Sequence, residues 1–368
     1  MVVIIGTTHH NTLSMVRSIG LAGEKVAVIL HDGNKDSYVL KSKYIEKSFV
    51  EQNEIDAFEC LLRNYSSATV IASSDAIASL MDRNLETIKE RYKFFNCGEQ
   101  GLLTRYMDKE CQTKLAQAAG IDTPISKMFI VGENIPVGVE FPCILKPLES
   151  INGGKKIKVC NNDKELESAL CDFERDSKIL IQQFIIKDYE IVLAGVRVNG
   201  KTIIPGYVHK HRDRLGGTTY STIYPITKLP ENITRSAIKL VESMNYDGLF
   251  GIELMVKDGK YYFVEINLRN DATTYAMAIA GCNVPYIYSQ AVNGYDIESK
   301  VQPIKQIDSM VEFPDIIFAI KGKVSMLKWI EQRNGCECLY FKSEEDIKPY
   351  YSARNSFLMD LIKRTLHL

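Results

Sequence analysis

The sequence has no run of about 18 uninterrupted apolar residues, so no segment of it reads as a membrane span. Its first residues lack the basic stretch and long apolar run of a secretory leader and read as a buried strand entering a loop. Charge of one sign is also missing. Lysine and arginine number 45 against 46 aspartates and glutamates, a net charge of −1 that would draw in neither nucleic acid nor an anionic membrane. None of the nine cysteines forms a CxxC pair, and Cys336 and Cys338 have no histidine beside them to complete a zinc site. The thiols read instead as small hydrophobes packed in a protein of the reducing cytoplasm. After the first strand comes Gly6-Thr7-Thr8-His9-His10-Asn11 rather than G-x-G-x-x-G, which argues against a dinucleotide-binding dehydrogenase. No Ser-His-Asp or Cys-His arrangement, internal repeat or low-complexity tract stands out.

What is present is regular alternation. Val2–Ile5, Val26–Leu30 and Ala68–Ala72 are short continuous apolar runs, and Leu13, Val16 and Ile19 lie at helical spacing between the first two. Buried strands separated by helices predict a doubly wound parallel sheet over residues 1–100. Asp108 predicts an N-cap, with a helix to Ala119 that Gly120 ends. Beyond it the pattern is α+β. Phe141 to Pro147 reads as a short strand ending in Lys146, and Ile179–Ile181 as another. Two hairpins follow, one turning at Asn199-Gly200 and one at Asp258-Gly259. The fold class expected is therefore α/β then α+β.

The second hairpin carries the sharpest constellation. Glu265, Asn267 and Arg269 are two apart on one strand, so they share a face opposite to Val264, Ile266 and Leu268. Two acid or amide oxygens suit Mg²⁺, and a guanidinium at the strand end suits a phosphoryl group or an oxyanion. An ordinary amphipathic strand with its polar face in water is the alternative. Against it, Glu253 lies among apolar residues of the partner strand, where a lone carboxylate is costly without a cation. A regular two-residue Asp258-Gly259 turn would pair Glu253 with Val264 and send the two glutamates to opposite faces. Joint use of a metal therefore demands an odd-length loop or a bulge that shifts the register by one.

A glutamate, then Glu-x-Asn-x-Arg in the returning strand, resembles the metal-binding signature of the ATP-grasp superfamily, which includes biotin carboxylases, carbamoyl phosphate synthetases and D-alanine–D-alanine ligase. The segment is most similar to the first two. The resemblance runs over roughly residues 100–295 and implies a two-subdomain ATP-grasp fold. Residues 101–180 with a linker helix would form the first subdomain, 181–300 the second, and 301–368 a small C-terminal extension. It implies that Glu253, Glu265 and Asn267 hold one or two Mg²⁺, for which Mn²⁺ would substitute, on the phosphates of ATP, and that Arg269 stabilises the transferred phosphoryl group. Lys109, opening its helix, resembles the lysine at the α-phosphate; a surface lysine in a first turn is the alternative. Lys146 resembles the lysine bridging the α- and β-phosphates. Gly153 and Gly154 resemble the glycine-rich lid over the phosphates, although a plain turn would look the same. Gln182, Gln183, Phe184 and Ile185 resemble the strand that reads the adenine edge, with glutamine where the family commonly has glutamate. Asp188 and Glu190 resemble the acidic pair at the ribose, or else form a salt-bridged turn. The cluster His209-Lys210-His211-Arg212 suits either a γ-phosphate ligand or a solvated basic loop.

The function implied is an ATP-dependent ligase that turns a carboxylate into an acyl phosphate and joins it to an amine, with small molecules as its partners and a homodimer compatible with the sequence. Its acceptor site would be built from Thr8-His9-His10-Asn11, Ser73-Ser74-Asp75 and Asn270-Asp271; the histidines and Ser74 serve equally as helix caps. Rivals are a bicarbonate-activating or carbamoyl phosphate synthetase-like enzyme, a kinase that stops at the phosphorylated product, and a nucleotide-binding module without turnover.

Overall fold

The computed structural model describes residues 1–147, 157–214 and 217–365. Among these, three sheets form. The first takes its strands from the apolar runs: β1 (Val2–Gly6), β2 (Val26–Leu30), β3 (Ile45–Val50), β4 (Ala68–Ala72) and β5 (Tyr92–Lys93), all parallel, in the order β3-β2-β1-β4-β5. β1, β2 and β4 are buried along their whole length, as expected when helices cover both faces. Gly6, closing β1, has no room for a side chain, since a Cβ there would lie 1.9 Å from Ser73 Oγ and 2.6 Å from Thr12 Oγ1. The chain therefore leaves β1 pressed against the end of β4 and enters the helix His10–Leu21 at once.

The second sheet, antiparallel, contains β6 (Ser126–Ile130), β7 (Cys143–Pro147), β8 (Lys158–Cys160) and β9 (Lys178–Gln183) in the order β6-β9-β7-β8. Its core is separate from the main one and includes Phe129, Leu145, Ile179 and Ile181. The third sheet is built around the two hairpins. It runs β14-β13-β10-β11-β12-β15-β16, from β10 (Tyr189–Val198), β11 (Lys201–Arg214), β12 (Gly217–Pro225), β13 (Gly248–Lys257), β14 (Lys260–Asn267), β15 (Ile307–Met310) and β16 (Cys338–Leu339). Both hairpin turns have positive φ at each central residue, 53° and 75° at Asn199-Gly200 and 49° and 74° at Asp258-Gly259, the backbone that Asn-Gly and Asp-Gly tolerate best.

The helix Lys109–Ala119 is capped by Asp108 and closed by Gly120 in the left-handed region. It is fastened to the edge of the third sheet by Gln112, whose side-chain amide donates to Ile266 O (2.8 Å) and accepts from Ile266 N (3.1 Å). Residues beyond 300 supply β15 and β16 and then turn back onto the first sheet's domain. There Arg17, 1% exposed, pairs with Asp346 at 3.0 Å and donates to the carbonyls of Tyr340, Phe341 and Asp346. Asp346 also accepts from Ser42 Oγ and the Lys43 N–H, each at 2.8 Å.

Candidate active site

The β13–β14 hairpin has a two-residue turn, with Lys257 opposite Lys260 and Leu254 opposite Phe263. Continued regularly, that register would separate the two glutamates. Instead the ladder shifts between Leu254 and Glu253: Val264 is the extra residue, and Glu253 then pairs directly with Glu265 and Gly251 with Asn267. The β-bulge returns both carboxylates and the amide to one face, as sharing an ion requires. Val264 itself is 39% exposed. Deleting Val264 should give a regular ladder in which Glu265 follows Phe263 and still lies opposite Glu253. We expect Mn²⁺ affinity to stay within a few-fold of wild type while circular dichroism retains the sheet signal; a loss of affinity would show that the bulge does more than bring the two glutamates to one face.

That face of the sheet is charged in alternation. Val192 of β10 lies beside Glu253, and two residues away Glu190 lies beside Lys210 of β11. Lys210, only 7% exposed, sends its ammonium to Glu253 Oε2 (2.7 Å) and Glu190 Oε2 (3.2 Å), and Glu190 is also paired with Lys187. Burial alone would lower the Lys210 pKa, but the two carboxylates reverse this and raise it above the ordinary lysine value. Burial likewise works against the charge on Glu190, yet Lys187 and Lys210 hold its carboxyl below the usual range. The basic cluster of the sequence is thus a strand rather than a solvated loop. Its neighbours are equally engaged: His209 stacks on Tyr189 at 4.4 Å between centroids, and Arg212 grips Asp315 through two nitrogens at 3.0 and 2.7 Å.

Lys109 and Lys146 approach the same face from the other elements. Lys109 Nζ is 3.5 Å from Glu265 Oε2, one helical turn from Gln112, which fixes that helix against β14. Lys146 donates to Gln182 Oε1 at 2.9 Å, and Gln182 in turn donates to Ser126 Oγ at 2.7 Å. Burial, and then the ammonium of Lys109, hold Lys146 below the ordinary lysine pKa. The two ammonium groups are thus near enough for one to disfavour the charge of the other, while Lys109 keeps its pairing with Glu265. Strand alternation separates the two glutamines: Gln182 pairs with Ile144 on the Lys146 face, whereas Gln183 pairs with Cys143 and donates to Glu140 at 3.0 Å. Phe184 is 36% exposed and Ile185 is buried. Asp188 is drawn to the hairpin turn, accepting from Lys257 Nζ (2.8 Å) and the Asp258 N–H (2.9 Å). Gly153 and Gly154 lie outside the described residues.

A cleft of about 260 Å³ opens between this face and the first sheet's domain. Glu253, Glu265, Asn267, Arg269 and Asp271 line one side, and His9, His10 and Asn11 the other. Arg269 stands at the join. Its Nε donates to Asp75 Oδ1 (3.0 Å), and its two terminal nitrogens donate to Asn267 Oδ1 and Asn270 O, both at 3.2 Å. Behind it, Asn270 is fully buried and donates to Asn11 Oδ1 at 2.6 Å, while Asn11 donates back to Asn270 O at 3.0 Å. His9 caps its helix by accepting from the Asn11 N–H (3.1 Å) and also lines the cleft; Ser74 caps the helix Asp75–Arg83, whose first residue holds Arg269. Accepting at Nδ1 leaves Nε2 of neutral His9 as the donor. Burial lowers the pKa of both histidines.

Sequence reading missed five contributors. Gln112 carries no marker, because a helical glutamine is ordinarily a surface residue. Ser309 and Tyr340 reach the cleft from the segment beyond residue 300, through strand pairing that no local pattern encodes. Thr219 and Ser221, also lining it, alternate along β12 and could have been found by the same two-residue period that found Glu265 and Asn267.

The fold that forms the cleft contains an ATP-grasp domain. The match to the ATP-grasp domain model covers residues 114–285, so the chain carries that domain. Within the class it is similar to formate-dependent phosphoribosylglycinamide formyltransferases. It is 30% identical to the Sulfurovum protein over 138 residues, 36% of this chain and 35% of that one, and 22% identical to the Bacillus subtilis protein over 333 residues, 85% and 84%. The first alignment thus spans about a third of the relative's length. In fold it is similar to N5-carboxyaminoimidazole ribonucleotide synthetase of Thermus thermophilus, with TM-score 0.64 and 17% identity over 84% of this chain and 82% of that one.

Proposed function

We propose that the protein is an ADP-forming ligase: it phosphorylates a substrate carboxylate with ATP and passes the acyl group to an amine, releasing phosphate. The observation that carries this reading is the bulged hairpin, which sets Glu253 against Glu265 on one face with Arg269 at the join of the two halves of the cleft. A face of two carboxylates, one amide oxygen and a guanidinium offers no nucleophile; it offers charge neutralisation and positioning, which is what phosphoryl transfer asks of a protein.

In this reading Lys146 and Lys109 hold the α- and β-phosphates. Among the described residues Lys146 has no ion pair, donating instead to Gln182, and Lys109 has only the 3.5 Å pair with Glu265, which fits an anionic ligand beside them. Gln182, beside Lys146, Phe184 and Ile185 lie along the adenine, with Glu190 at the ribose. Gln183 and Asp188 are weaker candidates, being engaged with Glu140 and with the hairpin turn. The donor set of Glu253, Glu265 and Asn267 fits Mg²⁺ or Mn²⁺, with phosphate oxygens completing the shell. Such an ion would neutralise charge on the phosphates. Arg269, free to leave part of its bonding with Asp75 and Asn267, meets the negative charge that grows at the transferred group. The nucleophile enters between His9, His10 and Asp271. The alignment with the formyltransferases makes formate one carboxylate to try. All nine cysteines are free thiols and, among the described residues, no helix is long and apolar enough to cross a membrane, which suits an enzyme of the reducing cytoplasm.

The test is a phosphate-release screen with ATP, Mg²⁺ and pools of formate, bicarbonate, amino acids, dipeptides and hydroxy acids, each with and without amines. Phosphate release that needs both an acid and an amine supports the ligase. Release with bicarbonate alone would favour carboxylation, and a phosphorylated product without free phosphate a kinase. No turnover with any pool, despite tight nucleotide binding, would leave a binding module. Lys146→Met should weaken an ATP analogue by about 1–3 kcal/mol in calorimetry, the worth of a charge-assisted contact; unchanged affinity would remove Lys146 from the site.

A further inference from the structure

The two carboxylates assigned above to the metal have unequal counter-ions. Glu265 faces Lys109 at 3.5 Å, and that lysine side chain is 72% exposed, so water can take it over. Glu253 faces Lys210 at 2.7 Å, and Lys210 is 7% exposed. An ammonium enclosed to that degree cannot lose its partner cheaply, because a buried unpaired charge is costly. Lys210 has a second partner, Glu190 at 3.2 Å, and Glu190 is itself steadied by Lys187. A divalent ion arriving at Glu253 therefore need not expel Lys210 into water. The lysine keeps Glu190 while the ion takes its place at Glu253.

We propose that Lys210 is the resident counter-cation of the metal carboxylates. It occupies Glu253 in the metal-free protein, yields it to the ion while remaining on Glu190, and sets metal affinity by competition. This rests on the metal reading of Glu253 and Glu265. Its consequences have opposite signs at two neighbouring residues. Removing the ammonium leaves Glu253 open to the ion, whereas removing the Glu190 charge leaves Lys210 with Glu253 alone and tightens its grip there.

The experiment measures Mn²⁺ binding without nucleotide, from the electron paramagnetic resonance signal of the free ion. Lys210→Met is expected to bind Mn²⁺ at least tenfold more tightly than wild type, and Glu190→Gln several-fold more weakly. Lys187→Met, which removes a charge that does not touch Glu253, should stay within about twofold. Unchanged or weaker binding in Lys210→Met overturns the proposal. So does equal tightening in Lys187→Met, which would indicate a diffuse field rather than competition. Should Lys210→Met not fold, Glu190→Gln decides alone, and unchanged or tighter binding there overturns it. Glu253→Gln separates the two levels: if it leaves Mn²⁺ affinity at the wild-type value, or if wild type binds none, the metal reading itself fails. If it abolishes binding while Lys210→Met changes nothing, only the role of Lys210 falls.

Discussion

Arg269→Ala is expected to lower kcat by about 10²–10³ once the substrates are known, with little change in affinity for an ATP analogue. The asymmetry follows from what the guanidinium does in the resting protein. Its donors are already engaged by Asp75, Asn267 and the Asn270 carbonyl, so it is held at the cleft without a strong claim on ground-state phosphate. The charge it answers grows only as the phosphoryl and acyl groups transfer, and an interaction made there raises kcat rather than binding. Asp75→Asn should retain the position through Asn267 and Asn270 and lose far less. Steady-state kinetics with both variants would settle the matter: an Arg269→Ala enzyme with near-normal kcat and a raised KM for ATP contradicts the assignment.

The second large effect concerns stability. Arg17→Leu should destabilise the protein by about 3–5 kcal/mol, because Asp346 would remain buried without its cation. Arg17 serves one carboxylate and three carbonyls, all of them in the segment from residue 340 onward. The loss should therefore be local before it is global. Limited proteolysis ought to cut residues 338–365 well before the parallel sheet, and urea unfolding should show an early transition. A variant that melts and digests like wild type would show that the apolar contacts of the helix Lys348–Thr365 hold the segment by themselves.

Much of this architecture is legible without coordinates. Continuous apolar runs at Val2, Val26 and Ala68 can only be strands buried on both faces, and Asn-Gly and Asp-Gly mark turns whose backbone few other pairs adopt. Asp108 and Gly120 bracket a helix because a cap needs a short acceptor at one end and freedom from a Cβ at the other. The shared face of Glu265 and Asn267 follows from the two-residue period alone, whereas β14 ends at Asn267 and Arg269, expected on the same strand, lies in the bend just beyond it. What is not legible is register. Nothing in Tyr262-Phe263-Val264-Glu265 announces that Val264 is the supernumerary residue; only the need for Glu253 and Glu265 to share a face implied a shift, and the bulge met it. Nor does local pattern carry long-range closure. In sequence Lys210 is one of four adjacent basic residues, and only strand pairing sets it beside Glu190; Tyr340 likewise carries no local mark of a cleft it shares with His9, some 330 residues away.

The amide of Gln112 has a bearing on solubility as well as on geometry. β14 is an outer strand of a seven-stranded sheet, and an outer strand with free N–H and C=O groups is a template on which a second chain can add. Here Gln112 takes both groups of Ile266, and the Asp122 carbonyl takes the N–H of Phe263 at 2.8 Å. These outward donors are three residues apart rather than two, the displacement that the extra Val264 imposes, and helix and loop meet them at that spacing. The same irregularity that turns a glutamate toward its partner thus leaves a border that a regular foreign strand cannot match. Gln112→Ala should reopen it, and the first sign would be self-association on concentration rather than a lower melting temperature.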